Sequence, residues 1–198
     1  MPFGQKLNIL DTTTRKAIVD VFGQPNFMVE VAATYGAGAI STYMAPRQYR
    51  GVVNNHIINE THVDLTGLAC YDSGDGDCIG LAAGGYAYIA RHTLATHGIV
   101  YRVEMICLET PTEATATFEQ DIDLRSMSAG TTEYGTAVTT AVLTAGLDWV
   151  IGKMVVTNVP AITTNDYVYL ATGSTAGSTG VYGAGQFIIR MFGHKDFN

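Results

Sequence analysis

Charge is scarce in this chain. Only 15% of its 198 residues are Asp, Glu, Lys or Arg, against roughly 25% in ordinary soluble domains. Either Thr, Ser and Asn cover the surface, or part of it is buried against partners. The composition favours burial in an oligomer or lattice. The 11 basic residues are scattered among 18 acidic ones, for a net charge of −7. A nucleic-acid partner requires a concentrated basic face. An anionic membrane surface requires the same, so neither partner is expected. No stretch approaches the about 18 uncharged apolar residues of a membrane-spanning helix. The opening Met1-Pro-Phe-Gly-Gln-Lys6 lacks the apolar core of a secretory leader.

Cysteine is equally rare, with only Cys70, Cys78 and Cys107. Without a leader to an oxidising compartment, three reduced thiols in or near the core are the expected state. A Cys70–Cys78 bridge closing a short loop is the alternative. Helical patterns are few. Residues 12–22 carry Thr caps but also β-branched side chains, so they read as a short helix or a strand. Strands alternating with long helices are absent, which disfavours a parallel α/β sheet.

What the chain has is Gly, Thr and Ala between short runs of Val, Ile and Tyr. Candidate strands lie at 27–35, 39–44, 49–58, 62–69, 86–91, 98–109, 114–124, 137–143, 149–157, 167–171 and 186–192, separated by turns rich in Gly, Asn and Asp. This spacing predicts an all-β fold: an antiparallel β-sandwich or jelly roll with at most one or two short helices. The length fits one domain with a true core, expected over residues 25–198. Residues 1–24 read either as an extended arm that pairs with a neighbouring subunit or as the first strand of the domain.

Residues 114–124 alternate. Ala114, Ala116, Phe118, Ile122 and Leu124 fall on one face, and Thr115, Thr117, Glu119, Asp121 and Asp123 on the other. A half-buried strand with a wet acidic face is expected. Pro111 and Thr112 before it read as the turn of a hairpin with residues 98–109. That hairpin would bring Arg102 among the acids.

The densest acidic cluster holds Asp72, Asp75 and Asp77 on a Gly-rich turn. Hard oxygens on a flexible loop suit Ca²⁺, but the spacing is not that of an EF-hand. A turn with Asp side chains capping backbone N–H groups is the simpler reading. Glu119, Asp121 and Asp123 are spaced at roughly 7 Å along a strand face, a separation that can support glycoside hydrolysis. Such pairs usually oppose each other across a cleft, so a solvated or partner-facing row is favoured. His92 and His97 are five apart, which suits neither one helix face nor one strand face, so a shared metal would need a bend between them. His56, His62 and His194 read as ordinary core or surface residues. Ser178, in Ala176-Gly-Ser178-Thr-Gly180, lacks the helix that a nucleophile elbow requires. The glycines at 36, 38, 183 and 185 lack the dinucleotide-binding pattern. No catalytic, cofactor-binding or metal-ligating set is assigned, and the chain is not expected to be an enzyme. The 11 tyrosines and the single Trp149 suit either sheet-edge packing or, if exposed in a groove, a sugar or protein interface.

Tyr169-Leu-Ala-Thr-Gly173 and Val181-Tyr-Gly-Ala-Gly-Gln-Phe-Ile-Ile-Arg-Met-Phe-Gly193 resemble the C-terminal strands of small virion proteins of tailed bacteriophages, particularly marine ones. The Met1-Pro-Phe-Gly-Gln5 opening and the Gly/Thr/Ala-rich body are similar in style. The resemblance implies a virion location and a capsid decoration, or cement, protein with a jelly-roll fold. Such proteins often assemble as trimers on the lattice of the major capsid protein and carry no catalytic residues. A carbohydrate- or receptor-binding module of the virion is the alternative, and a carboxylate-based hydrolase the third reading.

Overall fold

Alternating and β-branched runs pair into sheets because one face of each strand has apolar surface to bury. The computed structural model describes residues 29–31, 47–53, 55–71, 75–82, 84–113, 120–173 and 179–195. The strands are β1 Val29–Val31, β2 Arg47–Val53, β3 His56–Asp64, β4 Ala69–Cys70, β5 Tyr88–Arg91, β6 Ile99–Glu113, β7 Ile122–Met127, β8 Thr140–Leu143, β9 Met154–Asn158, β10 Tyr167–Thr172 and β11 Gly180–His194. One short helix, α1 at Leu94–His97, lies between β5 and β6.

One sheet runs β1-β2-β3-β11-β6-β9, with β4 added against β11, and the other runs β5-β10-β7-β8. All these pairings are antiparallel. Setting aside β1, β2 and β4, the order has a simple rule. The first of the remaining strands pairs with the last (β3 with β11), the second with the second-last (β5 with β10), then β6 with β9 and β7 with β8. This is one long antiparallel hairpin rolled onto itself into two sheets, the jelly-roll topology. The fold class expected from the strand spacing is therefore the observed one.

The core lies between the two sheets. β11 sends Phe187, Ile189 and Met191 inward beside Val63 of β3 and Val103, Met105 and Cys107 of β6. Ile89, Ile122, Leu124, Val168 and Leu170 face them from the second sheet. Each fully buried side chain of this size stabilises the fold by roughly 1.5–3 kcal/mol. The outward row of β3 is only partly covered, so its burial alternates residue by residue.

Several local expectations change. Residues 49–58 are two strands, because Asn55 turns the chain at φ 68° and β2 folds back on β3. Asn tolerates that left-handed conformation better than most residues. The turn expected at Pro111 and Thr112 is absent, as β6 continues through both to Glu113. Pro111 is accommodated because the β6–β11 register shifts around Ala184 and Gln186, and proline is tolerated at such bulges. Gly185 supplies the room, with φ +137° and the position of a Cβ only 3.1 Å from Pro111 Cα. The expected hairpin between β6 and β7 does not form, since the two strands lie in different sheets. The three cysteines are buried thiols outside any disulfide, so the reduced state holds and the Cys70–Cys78 bridge does not. Residues 1–24, the 39–44 strand and the 12–22 segment lie outside the described residues.

Candidate functional site

The most distinctive surface is the tip formed by the β8–β9 connection. Trp149 anchors it. The indole is fully buried, packs edge-on against Phe187 at 5.2 Å between ring centres, and donates Nε1–H to Ile122 O at 2.8 Å. Its backbone N–H donates to Gln120 O at 2.9 Å. The Lys153 ammonium sits 4.9 Å from the indole centre and donates to Leu147 O at 2.6 Å and Asp148 O at 3.2 Å. Gly152 N donates to Cys107 O, and Ile151 N to Thr110 Oγ1. The loop is thus tied at both ends and through its middle.

Held on that frame, Leu147 (72% exposed), Val150, Ile151 (70% exposed) and Met154 project into solvent, with Leu108 of β6 also exposed. A rigid apolar surface loses little entropy when a partner covers it. β9 beside it is the last strand of its sheet among the described residues. Its sequence Met-Val-Val-Thr-Asn holds none of the charges or prolines that usually blunt an edge. Val159, which follows, is 84% exposed and holds φ 53°. A β-branched residue in the left-handed region is strained.

The outer face of the larger sheet carries a cross-strand ion ladder. Register places Arg190 of β11 opposite Glu60 of β3 and Glu104 of β6. Arg190 Nε donates to Glu60 Oε2 at 2.6 Å. His62 Nε2 donates to the other oxygen of Glu60 at 2.6 Å. Arg102 pairs with Glu104, its neighbour on the same strand face, and lies over the Phe192 ring. It does not reach the acids of β7, as the hairpin reading required. Burial alone would push the Glu60 carboxyl up, but its hydrogen bonds and charge contacts with His62 and Arg190 hold it below its ordinary value.

The acidic residues singled out from the sequence fall elsewhere. Asp121 and Asp123 are fully buried rather than lining a wet face, and Glu119 lies outside the described residues. β7 sits between β10 and β8, and both its faces are covered. Its polar row meets loops instead of water. Asp123 accepts from Ala145 N at 2.9 Å and from Arg125 at 3.0 Å. Burial pushes its carboxyl up, against the pull of those two donors. Asp121 O accepts from Gly173 N. The Asp123 carboxylate and the Asp121 main-chain carbonyl pin loops, and the two acids, both at the start of β7, do not oppose each other across a cleft.

Asp75 of the candidate Ca²⁺ turn pairs with the buried Arg125 guanidinium, so a side-chain cation neutralises the carboxylate that a metal ion would use. Asp77 is buried, and its backbone bonds in both directions with Thr172. Asp72 and Ser178 lie outside the described residues. Among the described residues, no group of three or more His, Cys, Asp or Glu converges.

His92 and His97 are both buried. The bend that their spacing demands exists: it is α1, capped by Thr93, and it brings the rings to 5.6 Å. His92 faces Thr163 O at 3.0 Å and Gly98 O at 3.1 Å. Burial, with His92 and Arg50 nearby, lowers the His97 ring to about 3. Burial and Asp77 push the Cys78 thiol up, and burial does the same to Cys107. Trp149 is enclosed and unavailable to a sugar. Tyr88, Tyr169 and Tyr182 are buried, while Tyr71 remains exposed.

The apolar tip escaped the sequence reading because Leu147, Val150, Ile151 and Met154 look like core material. The signal that separates them from core is the run of turn residues around Gly146 and Gly152. No family model, no curated protein and no solved structure matches the chain.

Proposed function

We propose that the protein is a structural component of a tailed-phage particle, a decoration protein that associates with copies of itself as a trimer and binds the outside of the capsid lattice. The observation that carries this reading is the rolled strand order, β3-β11-β6-β9 against β5-β10-β7-β8. Jelly rolls recur in viral capsid proteins and lectins. A fold alone does not fix a function, so the surfaces add the rest. The interior is filled with apolar side chains, the polar clusters pin loops, and the outward feature is a rigid apolar tip beside an unblunted strand edge. Shallow contacts repeated over a lattice act together, so each can be weak. Pelleting tests the reading: the purified full chain, mixed with empty capsids of the phage that encodes it, is expected to co-sediment to saturation. A chain that stays in the supernatant contradicts it.

A glycan-binding module of the virion is the second reading. Exposed Tyr71, edge-on to Tyr134 at 6.1 Å, is the observation that favours it, because Tyr134 is held by its hydroxyl donating to Cys70 O. Saturable binding on a glycan array that is lost in Tyr71→Ala would select this reading over the first.

A further inference from the structure

We propose that His56 and His194 form a two-imidazole site for a late first-row divalent cation such as Zn²⁺, Ni²⁺ or Cu²⁺. The residues are far apart in the chain but directly opposite on β3 and β11. Lys195 N donates to Asn55 O at 2.9 Å, one position beyond the pair on each strand. That bond makes His56 and His194 a non-hydrogen-bonded antiparallel pair, the kind whose side chains stand closest. Both are exposed, and their ring centres are 4.3 Å apart with planes tilted by 54°.

The separation fits a shared ion. A metal–nitrogen bond of about 2.0–2.1 Å puts each ring centre about 3.2 Å from the metal, so two rings subtending roughly 90–110° have centres about 4.5–5.2 Å apart. The observed 4.3 Å lies just below that range, within a small side-chain rotation of two exposed rings. Imidazole nitrogens suit these metals.

Tyr101 supports both ligands as a positioning residue. The β6–β11 register shifts between Phe192 and Gly193, so Tyr101 has no opposite number. Such a bulge re-aims a side chain, and here it places Tyr101 beside the pair. Its ring stacks on His194 at 4.7 Å and 29°. Its hydroxyl lies 3.4 Å from His56 Nδ1. An Nδ1–H donated to that oxygen leaves Nε2 of His56 for the metal, the usual division of labour in a ligating histidine. Lys195 is the neighbouring cation. Water or a second molecule supplies the other coordination positions.

Equilibrium dialysis of the untagged full chain against Zn²⁺, with Cu²⁺ electron paramagnetic resonance in parallel, tests the site. One ion per chain and a two-nitrogen Cu²⁺ signal are expected. His56→Ala and His194→Ala are each expected to weaken binding by more than about 10-fold and to leave a one-nitrogen signal. Tyr101→Phe is expected to weaken it by about 10-fold, the lower end for a supporting group, while keeping two nitrogens. His62→Ala is the control expected to change nothing. Failure to bind Zn²⁺ or Cu²⁺, or binding undiminished in both histidine variants, overturns the site. Unchanged circular dichroism of these surface variants excludes unfolding as the cause of any loss.

Discussion

Gly98 and Gly193 each press against the backbone carbonyl beside the other. A methyl group on Gly193 would lie 1.9 Å from the His97 carbonyl oxygen, and one on Gly98 would lie 2.0 Å from that of His194. The turn that ends α1 therefore closes onto the end of β11 with no space for a side chain, and this contact fixes the end of the sheet that carries His194.

Gly193→Ala and Gly98→Ala are each expected to destabilise the protein by about 1–3 kcal/mol through overpacking. Gly98→Ala bears a further cost of about 1–2 kcal/mol because its φ of +66° is left-handed. Gly67→Ala, at φ +81° with open space around it, is the comparison and bears only that conformational cost. Urea midpoints of the three variants give the ranking.

Val159 predicts the opposite sign. Its strained backbone (φ 53°) serves no buried contact, since the side chain is exposed, and its N–H bond to Tyr101 O survives any non-proline substitution. Val159→Asn is expected to raise stability by about 1 kcal/mol, because Asn accepts the left-handed region more readily. An unchanged or lower urea midpoint would contradict this.

Trp149 is the single tryptophan, so intrinsic fluorescence reads its site alone. Blue-shifted emission that resists aqueous quenchers is expected from the native protein. Trp149→Ala is expected to cost about 3–5 kcal/mol and to loosen the apolar tip that the indole anchors. Emission typical of exposed indole would refute the buried placement and restore the groove reading.

Acid is expected to destabilise the fold through His97. Its ring, ordinarily at 6.5, is lowered to about 3 in the folded state, so the unfolded chain binds the proton more tightly. The neutral ring contributes fully above pH 6.5, and that contribution is lost as pH falls from 6.5 toward 3. The loss reaches up to about 3 kcal/mol by pH 4, at about 1.4 kcal/mol per unit. Glu60, held below its ordinary 4.5, acts in the same direction at lower pH. Urea midpoints across this range should fall less steeply for His97→Gln than for the unaltered chain.

Much of the architecture was legible from residue spacing, because period-2 patterns and Gly- and Asn-rich turns report strands directly. β5, β6 and β10 fall close to the candidate runs, whereas β11 (Gly180–His194) starts six residues before the run at 186–192. The errors have physical causes. Asp121 and Asp123 alternate with apolar residues in the same way whether their row meets water or meets loops, and the guanidinium of Arg125, which makes the second arrangement tolerable, belongs to β7 itself. The β6–β7 hairpin failed because Pro111 reads as a turn unless Gly185, on a distant strand, makes a bulge around it. His56 and His194 could not be paired in advance, since their meeting depends on the β3–β11 register. The tip residues Leu147, Val150 and Ile151 look like core material in the sequence, and only the burial of Trp149 among them turns them outward.

Sedimentation velocity of the purified full chain tests the central claim, that this protein acts by shape and self-association, most directly. A trimer of about 63 kDa, three copies of 21.1 kDa, is predicted, dispersing when Ile151→Asp places a charge on the apolar tip. A chain that sediments as a 21.1 kDa monomer at all accessible concentrations would contradict the account.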